Sequence, residues 1–194
     1  MGDREAAVRG LMLATIQQIE QVGLARVTVR GVAQAAGVNV AAVSYYFGSK
    51  DKLVEAALRQ TLEHMLSDVD EMVSRLADSP AEVLSELLSY LLEGALAYPN
   101  ITRAHVHGLY NGDTSTVPLS EHFSQVTRAL QRTLMAQVQG LQRDPAQHRA
   151  VQALSSAFFP GFFAGFFDPS KALRTPAARR RYVAELTATA LRPA

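Results

Sequence analysis

Apolar residues recur along this chain of 194 residues at intervals of three and four, which places them on one face of an α-helix. The first stripe lies within residues 3–22, and a longer one follows Ser49, which is expected to cap its helix. A shorter helix is expected over residues 101–110. No segment alternates with the period of a β-strand, so we predict an all-α chain of about nine helices. Later helices are expected to begin near prolines, which suit the first helical turn: Pro80, Pro118, Pro145 and Pro176.

Residues 28–50 predict two short helices joined by a tight turn. Thr28 can cap the first helix, and Asn39 can cap the second. Gly37 suits the end of the first helix because glycine adopts a positive φ without strain. This arrangement is typical of a helix-turn-helix, which holds its second helix in the major groove of DNA. The expected inward positions are Val29, Val32, Ala33 and Ala36 in the first helix and Val40 and Val43 in the second.

Residues 42–53, Ala-Val-Ser-Tyr-Tyr-Phe-Gly-Ser-Lys-Asp-Lys-Leu, resemble the end of the DNA-binding domain of TetR-type transcriptional regulators. Residues 23–29 resemble the beginning of that domain, and the similarity covers about residues 5–65. Ser44 stands where the family usually carries an aromatic residue, and Gly48 where proline is common. We therefore expect a helix-turn-helix DNA-binding domain in residues 1–52 and a ligand-binding and dimerisation domain in residues 53–194. The resemblance implies a homodimeric repressor that a small-molecule effector releases from a palindromic operator.

Two kinds of DNA contact are expected in the helix-turn-helix. Thr28, Tyr46 and Lys50 are expected at phosphates, because free N–H groups at a helix N-terminus, hydroxyls and cations bind phosphate oxygens. An asparagine can pair with adenine through both polar atoms of its amide, and an alanine methyl can contact a thymine methyl. The residues expected at base edges are Asn39, Val40, Ala42 and Tyr45, and Ser44 is assigned to the same DNA-binding set.

Six of the eight phenylalanines lie within residues 158–167. On a helix they form two adjacent rows beside a patch of small residues. These phenylalanines could simply pack in the core. We prefer the interpretation that one row faces the interior and the other row faces a second subunit, because six phenylalanines are too much apolar area for the surface of a monomer. The last two long helices of TetR-like proteins form a four-helix dimer interface. By this resemblance the expected interface residues are Phe158, Gly161, Phe162, Gly165 and Phe166.

The net charge of +1 is unevenly distributed along the chain. It is +2 in residues 1–52, −6 in residues 53–170 and +5 in residues 171–194. DNA would repel an acidic body, which favours contact through the N-terminal block, although chance variation among surfaces is the plainer interpretation. The absence of cysteine excludes disulfides and thiolate metal sites. No signal peptide or membrane-spanning run is visible, so we expect a cytoplasmic protein without membrane association.

The sequence contains no catalytic motif, and we expect neither an enzyme nor a bound cofactor or metal. His105 and His107 are two residues apart and would point in different directions on a helix, so they predict no metal site. The alternative to a DNA-binding regulator is a helical small-molecule-binding or interaction protein that has lost DNA binding. We expect a largely hydrophobic effector, although core packing would explain the same residues equally well. The residues expected to bind it are Leu87, Leu91, Tyr98, His105, Val106, Leu109, Tyr110 and Leu130.

Overall fold

The computed structural model describes residues 2–110, 117–163 and 170–194, and every regular element within these ranges is helical. The all-α prediction is confirmed. A single 3₁₀ turn, Leu24–Arg26, follows the first helix, and no helix in the described ranges is long and apolar enough to cross a membrane. The helices are α1 (Gly2–Val22), α2 (Val29–Ala35), α3 (Ala41–Phe47), α4 (Lys50–Ser74), α5 (Pro80–Ala97), α6 (Pro99–Tyr110), α7 (Val117–Gln137), α8 (Arg143–Phe162), α9 (Ser170–Leu173) and α10 (Pro176–Ala190).

The chain divides into two compact units. The first comprises the described residues of Met1–Met65 and Asn100–Thr114, and the second those of Leu66–Pro99 and Ser115–Ala194. The sequence predicts one boundary after residue 52, whereas this division falls inside α4 and adds α6 to the N-terminal helices. The assignment of separate functions to residues 1–52 and 53–194 stays a prediction.

The first unit is organised around a small apolar core. Five helices contribute to this core, and each supplies only one to three buried side chains, so all five are needed to form it. The buried members are Leu11, Ala14 and Ile19 of α1, Val27 of the following turn, Val32 of α2, Val43 of α3, Leu53 of α4, and Ile101 and Ala104 of α6.

Glu20 attaches α6 to the end of α1. Its carboxylate accepts hydrogen bonds from the backbone N–H groups of Asn100 and Ile101 at 3.1 and 3.0 Å, in the first turn of α6. The side-chain amide of Asn100 donates to the carbonyl oxygen of Glu20 at 2.7 Å. A carboxylate at this place satisfies free N–H groups and interacts favourably with the helix dipole. Glu20 is therefore an N-terminal cap for a helix about 80 residues further along the chain.

The second unit is a helical bundle in which α8 packs against α5, α7 and α10, and α5 also packs against α10. Leu84, Leu88 and Leu92 of α5 recur every four residues and are fully buried. Leu130 of α7 and Leu154 of α8 are fully buried in the same core. This core belongs to the second unit alone and is separate from that of the first.

A close approach of α8 to α5 occurs at Gly161, which is buried. A Cβ atom added at Gly161 would lie 2.3 Å from the carbonyl oxygen of Ala95 and 2.4 Å from the Ala95 Cβ. A side chain at residue 161 is therefore incompatible with this helix spacing. The expectation that Gly161 contacts a second subunit is wrong, because it packs inside its own chain. Gly165 and Phe166, two other expected interface residues, lie outside the described residues.

Candidate nucleic-acid interface

The turn between α2 and α3 is fixed by backbone and side-chain hydrogen bonds. The Thr28 hydroxyl accepts from the Gly31 N–H at 3.1 Å, which confirms Thr28 as the cap of α2. At the other end Gly37 has a φ of +68°. The N–H groups of Gly37 and Val38 donate to the carbonyls of Gln34 and Ala33 at 3.2 and 3.0 Å. This is the Schellman arrangement, so the predicted role of Gly37 as helix terminator is also confirmed.

Side-chain oxygens also cap α3 and α4. Asn39 Oδ1 accepts from the Ala41 N–H at 2.8 Å, and Ser49 Oγ accepts from the Lys52 N–H at 3.2 Å. Both predicted caps are confirmed. Since a backbone N–H faces the Asn39 side chain, the atom turned toward it must be the oxygen. The Asn39 oxygen keeps one further lone pair, and its amide nitrogen remains a donor, so both atoms can still meet a base while the cap is intact.

Four exposed residues lie on one face of α3 and of the residue just before it, and we call them the recognition face: Val40, Ala41, Ser44 and Tyr45. Tyr45 is 81% exposed and Val40 is 45% exposed, while Val43 on the opposite side is fully buried. Val40 already has helical dihedral angles, so at 100° per residue the four positions span an arc of about 140°.

One sequence-based assignment on this helix is wrong. Val40 is expected to point inward, but it is exposed. At 100° per residue, the buried side of this short helix runs from Ala42 through Val43 to Phe47, and Val40 falls just outside it. Ala42, which is expected at base edges, is half-buried, while Ala41 is exposed on the recognition face. A contact of Ala42 with a base edge stays a prediction.

The two tyrosines have different surroundings. Tyr46 is half-buried and packs against the core of the first unit. Its ring meets that of Tyr45 edge to face, with centroids 4.9 Å apart and an interplanar angle of 78°. The buried ring therefore supports the exposed one, which limits the directions that Tyr45 can adopt.

The helices before and after α3 in the chain carry cations. Arg30 of α2 and Lys52 of α4 are exposed. The Lys50 ammonium lies 3.9 Å from an Asp51 carboxylate oxygen, and an exposed pair of this kind contributes at most about 1 kcal/mol. Lys50 can therefore leave Asp51 for a phosphate at little cost.

The residues expected to bind an effector fall in both units. Leu87 and Leu130 are fully buried in the core of the second unit, Leu91 is half-buried beside them, and Tyr98 is exposed. His105, Val106, Leu109 and Tyr110 belong to α6 in the first unit, and the side chains of Leu109 and Tyr110 are outside the described set. The effector site stays a prediction, and core packing accounts for Leu87 and Leu130.

His105 of α6 is held against α4. The Thr61 hydroxyl donates to the Leu58 carbonyl oxygen at 2.9 Å, so it must accept from the His105 Nε2 at 3.1 Å. This contact requires a proton on the Nε2 atom of His105. Burial lowers the pKa of His105 from 6.5 to about 4, because the charged ring would lose its hydration.

This depressed pKa makes stability depend on pH. Between pH 6.5 and about pH 4 the unfolded chain binds a proton at residue 105 that the folded chain does not, so the free energy of unfolding falls as the pH is lowered. We expect the free energy of unfolding to fall by about 2 kcal/mol between pH 7 and pH 4.5 because of this residue. This value is smaller than the full pKa shift would give, since the ring is not completely buried. Urea denaturation at pH 7 and at pH 4.5 measures this change. In His105→Gln the free energy of unfolding should fall less than in the unchanged protein, by that amount. Equal pH dependence in the two proteins would contradict a buried neutral His105.

The two rows of phenylalanines on α8 face different surroundings. Phe158 and Phe162 are half-buried, with ring centroids 5.0 Å apart. Phe159 and Phe163 are 47% and 37% exposed, with ring centroids 4.6 Å apart. The more exposed row therefore contains Phe159 and Phe163, and the expected interface residues Phe158 and Phe162 form the less exposed row.

Comparison with known proteins bears on the helix-turn-helix. Residues 11–57 match the sequence model of the bacterial regulatory proteins of the tetR family. This match covers α2 and α3 with parts of α1 and α4, so the family similarity concerns the N-terminal part of the chain. The chain is 38% identical over 80 residues to the HTH-type transcriptional regulator BetI 1 of Chromohalobacter salexigens, which is 41% of this chain and 40% of that protein. It is 43% identical over 75 residues to the HTH-type transcriptional regulator BetI of Paraburkholderia phytofirmans, or 39% of this chain and 36% of that protein. The match thus spans about two fifths of the length of these curated relatives.

Solved structures extend the similarity in fold over almost the whole chain. A transcriptional regulator from Rhodococcus sp. Rha1 has a TM-score of 0.71 at 22% identity, covering 95% of both chains. A TetR transcription regulator from Haloarcula marismortui has a TM-score of 0.67 at 19% identity, covering 96% of this chain and 97% of the other. At such identities the similarity concerns the fold alone.

Proposed function

We propose that this protein is a homodimeric, ligand-responsive transcriptional regulator that acts in the cytoplasm. The recognition face would enter the major groove of operator DNA, and two copies would contact the two halves of a palindromic site. An effector would shift the population toward an arrangement that does not bind the operator, as in a repressor.

The observation that carries the proposal is the exposure of Tyr45 and Val40 on a helix fixed at both ends. Large apolar side chains that are held rigidly in water mark a binding surface. Exposed cations on α2 and α4 suit that surface to a polyanion, and the match of residues 11–57 to the TetR family points to DNA.

The test is a mobility shift of a duplex that contains the region upstream of the protein's own gene. Retardation of this duplex in the presence of competitor DNA is the expected result. No retardation at low salt would overturn the proposal. Compounds that release the retarded duplex would identify the effector.

Lys50 provides a quantitative prediction for this assay. If its ammonium neutralises one phosphate, Lys50→Ala should weaken binding to all sequences and reduce the slope of log affinity against log salt by about 0.9. Arg132→Ala removes the same charge from an exposed position of α7 and is the matched control. Anisotropy titrations at four salt concentrations measure both slopes. A change of base preference in Lys50→Ala, or an equal change in Arg132→Ala, would contradict a phosphate contact by Lys50.

The proposed dimer would use the exposed row of α8. Val151, Phe159 and Phe163 lie on one face at multiples of four residues and are all more than a third exposed. Apolar residues in such a row suit a second copy of the same helix, related by a two-fold axis.

Two buried polar atoms of the second unit support an effector site there. His122 Nε2 and Thr187 Oγ1 have no hydrogen-bond partner within the described part of the chain. His122 lies 3.6 Å from an Asp70 carboxylate oxygen, which is beyond hydrogen-bond length. Unpaired buried polar atoms cost about 1–3 kcal/mol each, and a ligand with polar groups could satisfy them.

A further inference from the structure

We propose that the recognition face selects its operator through the 5-methyl groups of thymine rather than through hydrogen bonds to guanine. This inference rests on the proposed DNA binding and specifies the class of base sequence that is bound.

The side chains of α3 include neither arginine nor lysine. The commonest guanine contact is a two-point hydrogen bond from arginine or lysine. The helix Ala41–Phe47, described in full, consists of alanine, valine, serine, tyrosine and phenylalanine. The neighbouring cations Arg30, Lys50 and Lys52 lie on α2 and α4, where we expect them to neutralise phosphates.

Asn39 does not by itself favour guanine. Its oxygen accepts from the Ala41 N–H at 2.8 Å and keeps one further lone pair. The amide donor is accepted by thymine O4, guanine O6 and the N7 atom of either purine, and an amide that also uses its oxygen pairs with adenine, the partner of thymine. Asn39 can therefore add affinity without selecting guanine.

The remaining groups on the recognition face are mainly apolar. Val40 and Ala41 present methyl groups, and Tyr45 presents a ring whose direction is limited by Tyr46. Ser44 has a hydroxyl that can bond to any of the bases. The 5-methyl of thymine is the apolar group at a base edge in the major groove, so it is the natural partner of the Val40 and Ala41 methyls.

The experiment uses 2′-deoxyuridine, which pairs with adenine and keeps the O4 acceptor but lacks the methyl group. The preferred operator is first selected from a pool of random duplexes with the full-length protein. Each thymine of one half-site is then replaced by deoxyuridine, and the affinity is measured by anisotropy. We expect one or two positions at which affinity falls about fourfold, which corresponds to about 0.8 kcal/mol per methyl group removed from water.

Two variants and a modified base locate the contact. Val40 is exposed, so Val40→Ala should fold normally. At one of the sensitive positions, this variant should bind the thymine and deoxyuridine duplexes with equal affinity. Asn39→Ser keeps a capping oxygen and should preserve both deoxyuridine effects while binding more weakly. At a sensitive position, replacing T·A by C·G should weaken binding, and 5-methylcytosine should recover part of the loss.

The outcomes separate the inference from the proposed function. If thymine and uracil duplexes bind equally well, thymine-methyl recognition is wrong, while the proposed DNA binding stands. A selected half-site whose sensitive positions are all guanine would also overturn it. If no duplex binds at low salt, both the inference and the proposed function fail.

Discussion

Phe159→Glu is expected to convert the proposed dimer into monomers. Phe159 is 47% exposed on α8, so the substitution leaves the core of its own chain intact. In a two-fold interface it would bury two unpaired carboxylates, at a cost of several kcal/mol each. We therefore expect the dissociation constant of the dimer to rise by at least about a thousandfold, since each 1.4 kcal/mol is a factor of ten.

Sedimentation velocity at micromolar concentration measures this change, and circular dichroism verifies that the helices remain. Leu13→Glu is the matched control, because Leu13 is 56% exposed and lies on α1 of the other unit. It should leave the sedimentation coefficient unchanged. A stable, folded dimer of Phe159→Glu would rule out this face of α8 as the interface.

Gly161→Ala should destabilise the fold by about 3 kcal/mol, at the upper end of the usual cost of overpacking. The added methyl would lie 2.3 Å from a backbone oxygen of α5, and a backbone cannot rotate away as a flexible side chain can. The two helices would have to separate, which would disturb the buried leucines beside them. Urea denaturation at a fixed protein concentration measures the loss.

Gly94 provides the matched control on α5, since a Cβ atom there would have no neighbour within 4 Å. Gly94→Ala should raise the free energy of unfolding by up to about 1 kcal/mol, because alanine stabilises a helix relative to glycine. Opposite signs for two identical substitutions would verify the close packing at Gly161. A neutral Gly161→Ala would show that α5 and α8 are further apart than described.

Local sequence signals predicted the helix-turn-helix in detail. Thr28, Asn39 and Ser49 each cap the expected helix, and Gly37 has the positive φ that its turn requires. These features depend on groups within a few residues of each other, so the sequence contains all that determines them. The same holds for the buried stripes, since helical periodicity fixes which side chains share a face.

Features that depend on distant residues could not be predicted in this way. A small residue at position 161 suits a close contact with any helix, and only the fold identifies Ala95 as the neighbour. Ala42 is less exposed than Ala41 because it packs against a core to which other helices contribute. The capping of α6 by Glu20 joins groups about 80 residues apart and has no local signal.

That cap has a practical consequence for anyone who wishes to join the first unit to a foreign effector domain. A fusion joined once, after Met65, would omit Asn100 and Ile101 and would leave the Glu20 carboxylate without the N–H groups it binds. It would also uncover the core positions that Ile101 and Ala104 fill. A working chimera therefore needs two junctions and a borrowed α6, or an acceptor whose own helix offers matching apolar residues and a free N-terminus to Glu20.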